Sequence, residues 1–457
     1  MPSTTRRDFL RTVGRGACAA VGTTSIVRTL FDLGHVAAAA ELPKAGDYKA
    51  LVCLFLYGGN DGNNTLVPRS GSDYAQYAAA RGSLALPQGS LRPITPLTAD
   101  GRNWGLHSAL AGLQGLFAQQ KMAILPNAGP LLAPLTRAQL LAGGAAVPPQ
   151  LFSHSDQQVH WQTSIPDRDP RSGWGGRMAD LLHSLNDNAQ VSMSMSLAGS
   201  NMFQIGDVVT QYQLSPDGSI GLDGFTDGPT ADPVSRAIRS LLGLPSDNVL
   251  VRGAADVTRR ALDTNLLLQT ALDQAPPLAT VFPDTYLGRQ LRMIARLIAV
   301  RGTLGLSRQV FFCAADGYDT HGDQLATHAG LLGDLDASLT AFYNATVELG
   351  TAGSVTTFTA SDFGRTYPSN GDGTDHGWGG LQLVVGGAVR GGDLYGQVPA
   401  LAVDGPDDAG DGRWIPTISV DEYSATLARW FGVSATDLAT VFPNLGRFNR
   451  PDLGFMV

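Results

Sequence analysis

Ala50-Leu51-Val52-Cys53-Leu54-Phe55-Leu56-Tyr57, followed at once by Gly58-Gly59-Asn60-Asp61-Gly62, is the stretch that decides the fold. An apolar run with no polar alternation reads as a strand covered on both faces, and the glycines turn it into a loop. Similar runs recur at Met122 to Pro126, Val310 to Ala315, Val355 to Thr359 and Leu381 to Val385. Helical spacing fills the intervals at Leu106 to Phe117, Arg259 to Ala271, Thr285 to Val300 and Gln324 to Leu349. Buried strands alternating with helices predict an α/β fold, a three-layer sandwich with a mainly parallel central sheet. Such sheets gather ligands at the carboxyl ends of their strands, so the chemistry is expected just after each run.

The N-terminus carries a different signal. Thr5-Arg6-Arg7-Asp8-Phe9-Leu10-Arg11 has the paired arginines of a twin-arginine leader. A weakly apolar stretch from Gly14 to Leu33 follows, and then Ala37-Ala38-Ala39-Ala40, small residues of the type peptidases cut. Residues 1–40 are expected to be a signal peptide read by the Tat export machinery, giving a periplasmic or secreted protein. Residues 41–457 are expected to form a single large domain with loop insertions. No later run reaches the length of a membrane span, so no integral span is expected. The chain has a net charge of −8, and its only lysines are Lys44, Lys49 and Lys121. That is a poor counter-charge for nucleic acid, which is excluded as a partner. Cys53 and Cys313 both sit in strand-like runs and read as buried thiols, although a disulfide is conceivable if the strands are neighbours. The acidic stretch Leu401 to Trp414 reads as a solvated turn.

Four polar clusters are candidates for chemistry. Asp61 follows the first strand and can hold a cation, with Thr65 adding a hydroxyl; an Asx turn is the competing reading. Ser153-His154-Ser155-Asp156-Gln157-Gln158-Val159-His160-Trp161 packs two histidines, two serines and an aspartate together. Ser155 is the preferred nucleophile of the chain and Thr65 the second, while His154 and His160 read equally well as satisfied imidazoles. Asp319 and His321 follow the strand ending at Ala315, and this pairing of carboxylate and imidazole suits zinc or manganese. Asp362 follows another strand, Arg365 is a cation for an anionic substrate oxygen, and Asp375-His376 lies between glycines. Several carboxylates at one sheet edge would repel unless a cation neutralised them.

The segments Gly58 to Thr65, Asp319-Thr320-His321, Ser361 to Thr366 and Gly373 to Gly377 together resemble the bacterial DUF1501 family, which is similar to the alkaline phosphatase and sulfatase superfamily. The resemblance implies that residues 41–457 form a single large alkaline-phosphatase-like domain with loop insertions, an α/β sandwich with metal ligands at strand ends. Asp61 resembles the first-strand metal aspartate, Asp319 and His321 an Asp/His ligand pair, and Asp362 the aspartate ending a later strand. A histidine directly after that aspartate would complete the superfamily pattern. Here Phe363 stands there, and Asp375-His376 comes thirteen residues after Asp362.

The expected function is an exported metal-dependent hydrolase of a phosphate, sulfate or related ester. Its catalytic candidates are Ser155, Thr65 and Arg365, and its metal candidates are Asp61, Asp319, His321, Asp362, Asp375 and His376. The cofactor is a divalent metal (zinc, manganese or calcium), and the substrate an anionic small molecule or saccharide. The alternative is a non-catalytic periplasmic binding or structural protein that keeps the hydrolase fold, with Trp161, Trp174 and Trp378 lining a binding surface.

Overall fold

The computed structural model describes residues 47–188, 190–219, 224–227 and 231–457. The leader expected over residues 1–40 lies outside them. Among the described residues there are twelve strands: β1 Lys49–Leu56, β2 Leu66–Pro68, β3 Arg92–Ile94, β4 Trp104–Leu106, β5 Met122–Gly129, β6 Ser194–Ser196, β7 Tyr212–Ser215, β8 Gly218–Ser219, β9 Arg308–Ala315, β10 Val355–Ser361, β11 Gly380–Gly386 and β12 Ile418–Ser419. Nine of them form the main sheet in the order β12-β5-β11-β10-β1-β9-β6-β7-β8, and β2, β4 and β3 form a small second sheet.

β1 lies between β9 and β10 and runs parallel to both. Its register matches Leu56 to Ala315 of β9 and to Ser361 of β10. The three strands therefore end together, and the loops that follow them leave from one edge. Only β11 and β8 run against the common direction, so the sheet is mainly parallel, as the unbroken apolar runs imply.

Both faces of β1 are covered by helices. Ala50, Val52, Leu54 and Leu56 share a core with Leu113 and Leu116 of the helix Ala111–Ala118, Leu291 and Ile298 of Tyr286–Ala299, and Leu332, Leu335 and Leu339 of Gln324–Glu348. On the other face, Cys53 and Phe55 meet Trp161, Trp174, Phe203, Phe358 and Ser424. The fold is α/β, a central sheet flanked by helices. Trp161, Trp174 and Trp378 are 3%, 2% and 0% exposed, so they belong to the interior and not to a binding surface. Cys53 and Cys313 are both free and buried. Cys313 sits in the first of these cores and Cys53 lines the opposite face, so the strands are neighbours but no disulfide joins them.

The helix expected from Leu106 begins later, at Ala111, because Trp104–Leu106 pairs with both β2 and β3. The acidic stretch is a solvated turn, as expected, at all of its aspartates except Asp408. Asp408 is fully buried, and its carboxylate accepts the N–H groups of Asp404, Gly410 and Arg413.

Gly58 fixes how closely the β1 and β9 loops approach. Its φ is +113°, and a Cβ there would overlap the Asp319 backbone nitrogen and lie 2.8 Å from the Tyr318 carbonyl carbon. Neither contact can relax by side-chain rotation, because both are with backbone. Gly58→Ala is expected to cost about 3 kcal/mol or more of stability, read as a lowered urea midpoint. An unchanged midpoint would show that the two loops are free to separate.

Candidate metal centre

The sheet edge brings Asp319, His321, Asp362, Asp375 and His376 together with a residue from a different element, His154. His154 opens the helix His154–Thr163. Asp362 directly follows β10, is fully buried, and accepts at Oδ2 from His154 Nδ1 (2.6 Å) and Gln158 Nε2 (3.0 Å). His154 and Gln158 are four residues apart, so one helix face presents both to the carboxylate. Burial raises the Asp362 pKa above the usual carboxylate range, and the bonds from Gln158, His154 and the Gly58 N–H counter it.

Asp319 is the hub. Its Oδ1 accepts from Arg365 Nη1 at 2.7 Å and lies 3.0 Å from His321 Nε2 and 3.2 Å from His376 Nε2. Its Oδ2 lies 3.4 Å from His154 Nε2. Against a desolvation that would raise it, the Arg365 hydrogen bond and the neighbouring positive charges hold the Asp319 carboxyl below its ordinary pKa. The Asp375 carboxyl is also lowered, first by the hydrogen bond from Asn370.

The tautomers follow from what each ring's other nitrogen touches. His376 Nδ1 is 2.8 Å from the Phe152 carbonyl, which can only accept, so Nδ1 carries the proton. His154 Nδ1 faces the Asp362 carboxylate, and His321 Nδ1 lies 3.3 Å from Asp375 Oδ1. In their neutral forms His154 and His376 therefore turn an Nε2 lone pair toward Asp319, whereas His321 has a carboxylate at each nitrogen and can carry its proton on either. The His321 and His376 Nε2 atoms are only 3.0 Å apart. Lone pairs and a carboxylate at these distances repel unless a cation or a proton lies among them. A tetrahedral zinc site, with bonds of about 2.0–2.1 Å, would separate its ligand atoms by roughly 3.3 Å, close to what is seen. Ligand atoms of His154, Asp319 and His376 all lie within 4.8 Å of one another and can hold a metal ion. The partners at Nδ1 (two carboxylates and a carbonyl) are those that orient metal-binding imidazoles. Phe363 packs beside this set, its ring 4.5 Å from that of His376 and 4.9 Å from that of His154. It supplies an apolar wall.

The other expected site residues are engaged in different ways. Both side chains of the Asp61–Arg81 ion pair are fully buried. Asp61 also accepts from Gln324 Nε2 and, at 3.0 Å, from the Asn63 N–H, so its oxygens already have partners within the protein. Thr65 is fully buried, and its hydroxyl donates to the Asp61 carbonyl at 2.8 Å. Arg365 is also buried. Its guanidinium donates to Asp319, to the Gly58 carbonyl at 3.2 Å and to both oxygens of Thr374, so it fixes Asp319 and has no open face for a substrate anion. Ser155 is exposed in the first turn of the His154 helix, 3.1 Å from the Ser153 hydroxyl. His160 and His328 are buried, and burial lowers the pKa of each to about 4.

His154 was expected in a candidate cluster but not among the metal ligands, and Gln158 had no expected role. Their i,i+4 spacing was a usable signal, but nothing local links that helix to Asp362. Asp362→Asn is expected to weaken metal binding about 10–100-fold while keeping the far-UV circular dichroism spectrum, because the amide holds His154 less firmly than a carboxylate does. Unchanged affinity in a calorimetric titration would remove Asp362 from the centre.

No curated protein matches the chain in sequence. Solved structures overlap it loosely. The crystal structure of Ps i-CgsB covers 89% of this chain and 78% of its own, at 10% identity and a TM-score of 0.34. A protein in the alkaline phosphatase superfamily from Vibrio parahaemolyticus covers 86% and 69%, at 12% and 0.32. The soluble domain of lipooligosaccharide phosphoethanolamine transferase A from Neisseria meningitidis covers 91% and 96%, at 10% and 0.31. Among the described residues no helix is long and apolar enough to cross a membrane. The family described as "Protein of unknown function (DUF1501)" matches residues 48–411, and the chain belongs to it.

Proposed function

We propose that the chain is an exported hydrolase of phosphate, sulfate or related esters that works with one divalent metal ion held by His154, Asp319, His321 and His376. The observation that carries the reading is the convergence of three Nε2 atoms on one carboxylate, each ring pinned at Nδ1. Three nitrogens and one oxygen favour zinc or manganese over calcium, which prefers an all-oxygen shell. A single ion is favoured because Arg81 already supplies the positive charge facing Asp61. Such a metal would polarise the ester and lower the pKa of a bound water.

The chain's own residues have separate parts in this reading. Arg365 holds Asp319 in place, while Asp362 and Asp375 orient His154 and His321. Phe363 keeps water from one side of the imidazoles. Ser155 is the exposed hydroxyl beside His154 and remains the candidate nucleophile. Export through the Tat route rests on Arg6-Arg7, and would let the chain acquire its metal while folded in the cytoplasm.

A second reading is a non-catalytic binding protein. It is favoured by the full engagement of Arg365, which leaves that guanidinium unable to grip an anionic ester.

Elemental analysis and nitrophenyl ester assays on the purified protein separate the two. The hydrolase reading predicts about one zinc or manganese per chain. Turnover should stop with a chelator and return with metal, and His376→Ala should lose metal and turnover together by at least about 100-fold. One bound metal with no hydrolysis of phosphate or sulfate esters would favour the binding protein. Metal-free protein with full activity would overturn both.

A further inference from the structure

We propose that Arg413 is a positioning residue that clamps the Phe152 segment onto the His376 loop and so fixes the tautomer of His376. The proposal rests on reading the three-histidine cluster as a metal centre. The bond from His376 Nδ1 to the Phe152 carbonyl joins segments 224 residues apart. Phe152 is 39% exposed, so water can compete for that bond. One guanidinium touches both partners. Arg413 Nε donates to the His376 carbonyl at 2.9 Å, and the guanidinium carbon lies 4.7 Å from the centre of the Phe152 ring. A cation over an aromatic face is attracted by the ring quadrupole, and the Asp411 carboxylate, 2.5 Å from Nη1, orients the planar fork.

The clamp is itself anchored. Asp408 Oδ1 accepts from the N–H groups of Gly410 at 2.8 Å and Arg413 at 3.0 Å, and Arg137 Nε donates to the Asp408 carbonyl at 2.8 Å. The acidic stretch thus holds Arg413 against the centre. Phe152 lies two residues before His154, so the same contact that pins His376 also locates the start of the His154 helix. If the clamp is released, the Phe152 carbonyl is free to leave, and nothing then selects the Nδ1–H tautomer of His376. A proton on Nε2 would point toward Asp319 and occupy the ligand position.

Arg413→Gln, Arg413→Lys and Phe152→Leu in the full chain test this with two readouts: zinc affinity by competition with a chromogenic chelator, and ring ¹⁵N shifts of His376 in metal-free protein. Arg413→Gln should bind zinc about 10–100-fold more weakly and show a mixture of His376 tautomers. Arg413→Lys keeps the charge over the ring but lacks the fork, and should fall between it and the wild type. Phe152→Leu keeps the carbonyl, and should lose less than Arg413→Gln. Zinc affinity within about twofold of the wild type, with His376 still protonated at Nδ1 in Arg413→Gln, would overturn the proposal. If the wild type binds no metal, the metal-centre reading fails. The tautomer still decides the clamp: a mixture in Arg413→Gln supports it, and an unchanged Nδ1–H refutes it. If Arg413→Gln does not fold, the ordered losses in Arg413→Lys and Phe152→Leu take its place, and their absence refutes the clamp.

Discussion

Imidazole lone pairs cannot crowd one carboxylate at hydrogen-bond distance without positive charge, a cation or a proton, among them. Arg365 supplies part of that charge to Asp319 from below, at 2.7 Å. It cannot serve the Nε2 atoms of His321 and His376, because a guanidinium offers only donors on its own plane and its remaining groups are spent on Gly58 and Thr374. The rest of the arrangement keeps the rings from escaping this conflict by rotating. Asp362, Asp375 and the Phe152 carbonyl each face a ring nitrogen on the far side. The cluster can therefore hold a metal ion, and its geometry depends on partners outside it.

The fold makes this convergence affordable by putting three strand ends side by side. β9, β1 and β10 are parallel and in matched register, so Asp319, Gly58 and Asp362 leave the sheet within a few residues of one edge. The close backbone approach at Gly58 then sets the spacing. Below the edge a second buried pair, Arg81 and Asp61, closes the β1 loop. Removing one partner of such a pair would leave an uncompensated buried charge, a cost of about 3–5 kcal/mol. The first-strand aspartate thus serves the scaffold, while the aspartate of the β9 loop serves the site.

The sheet was legible in the sequence because strands buried on both faces leave unbroken apolar runs, and all five runs quoted became strands. Asp319, His321 and Asp362 were legible as candidates because a strand end is a local feature, and Asp375 and His376 because they lie between glycines. His154 was not legible as a ligand. Its partner Asp362 is 208 residues away, and only tertiary packing of the His154 helix joins them. Arg365 misled for a related reason: sequence shows a cation beside aspartates but not whether burial has already spent its donors. The tryptophans failed for the same reason, since Trp378 looks like a surface residue until the loops around it close, and among the aspartates of the acidic stretch only Asp408 departs from an exposed turn in this way.

X-ray absorption at the metal edge of the protein as isolated tests the central claim most directly. The account predicts a shell of nitrogen and oxygen at about 2.0–2.1 Å with the outer scattering of three imidazoles and a single carboxylate. An all-oxygen shell without imidazole scattering, or a protein that carries no metal and takes none up, would contradict it.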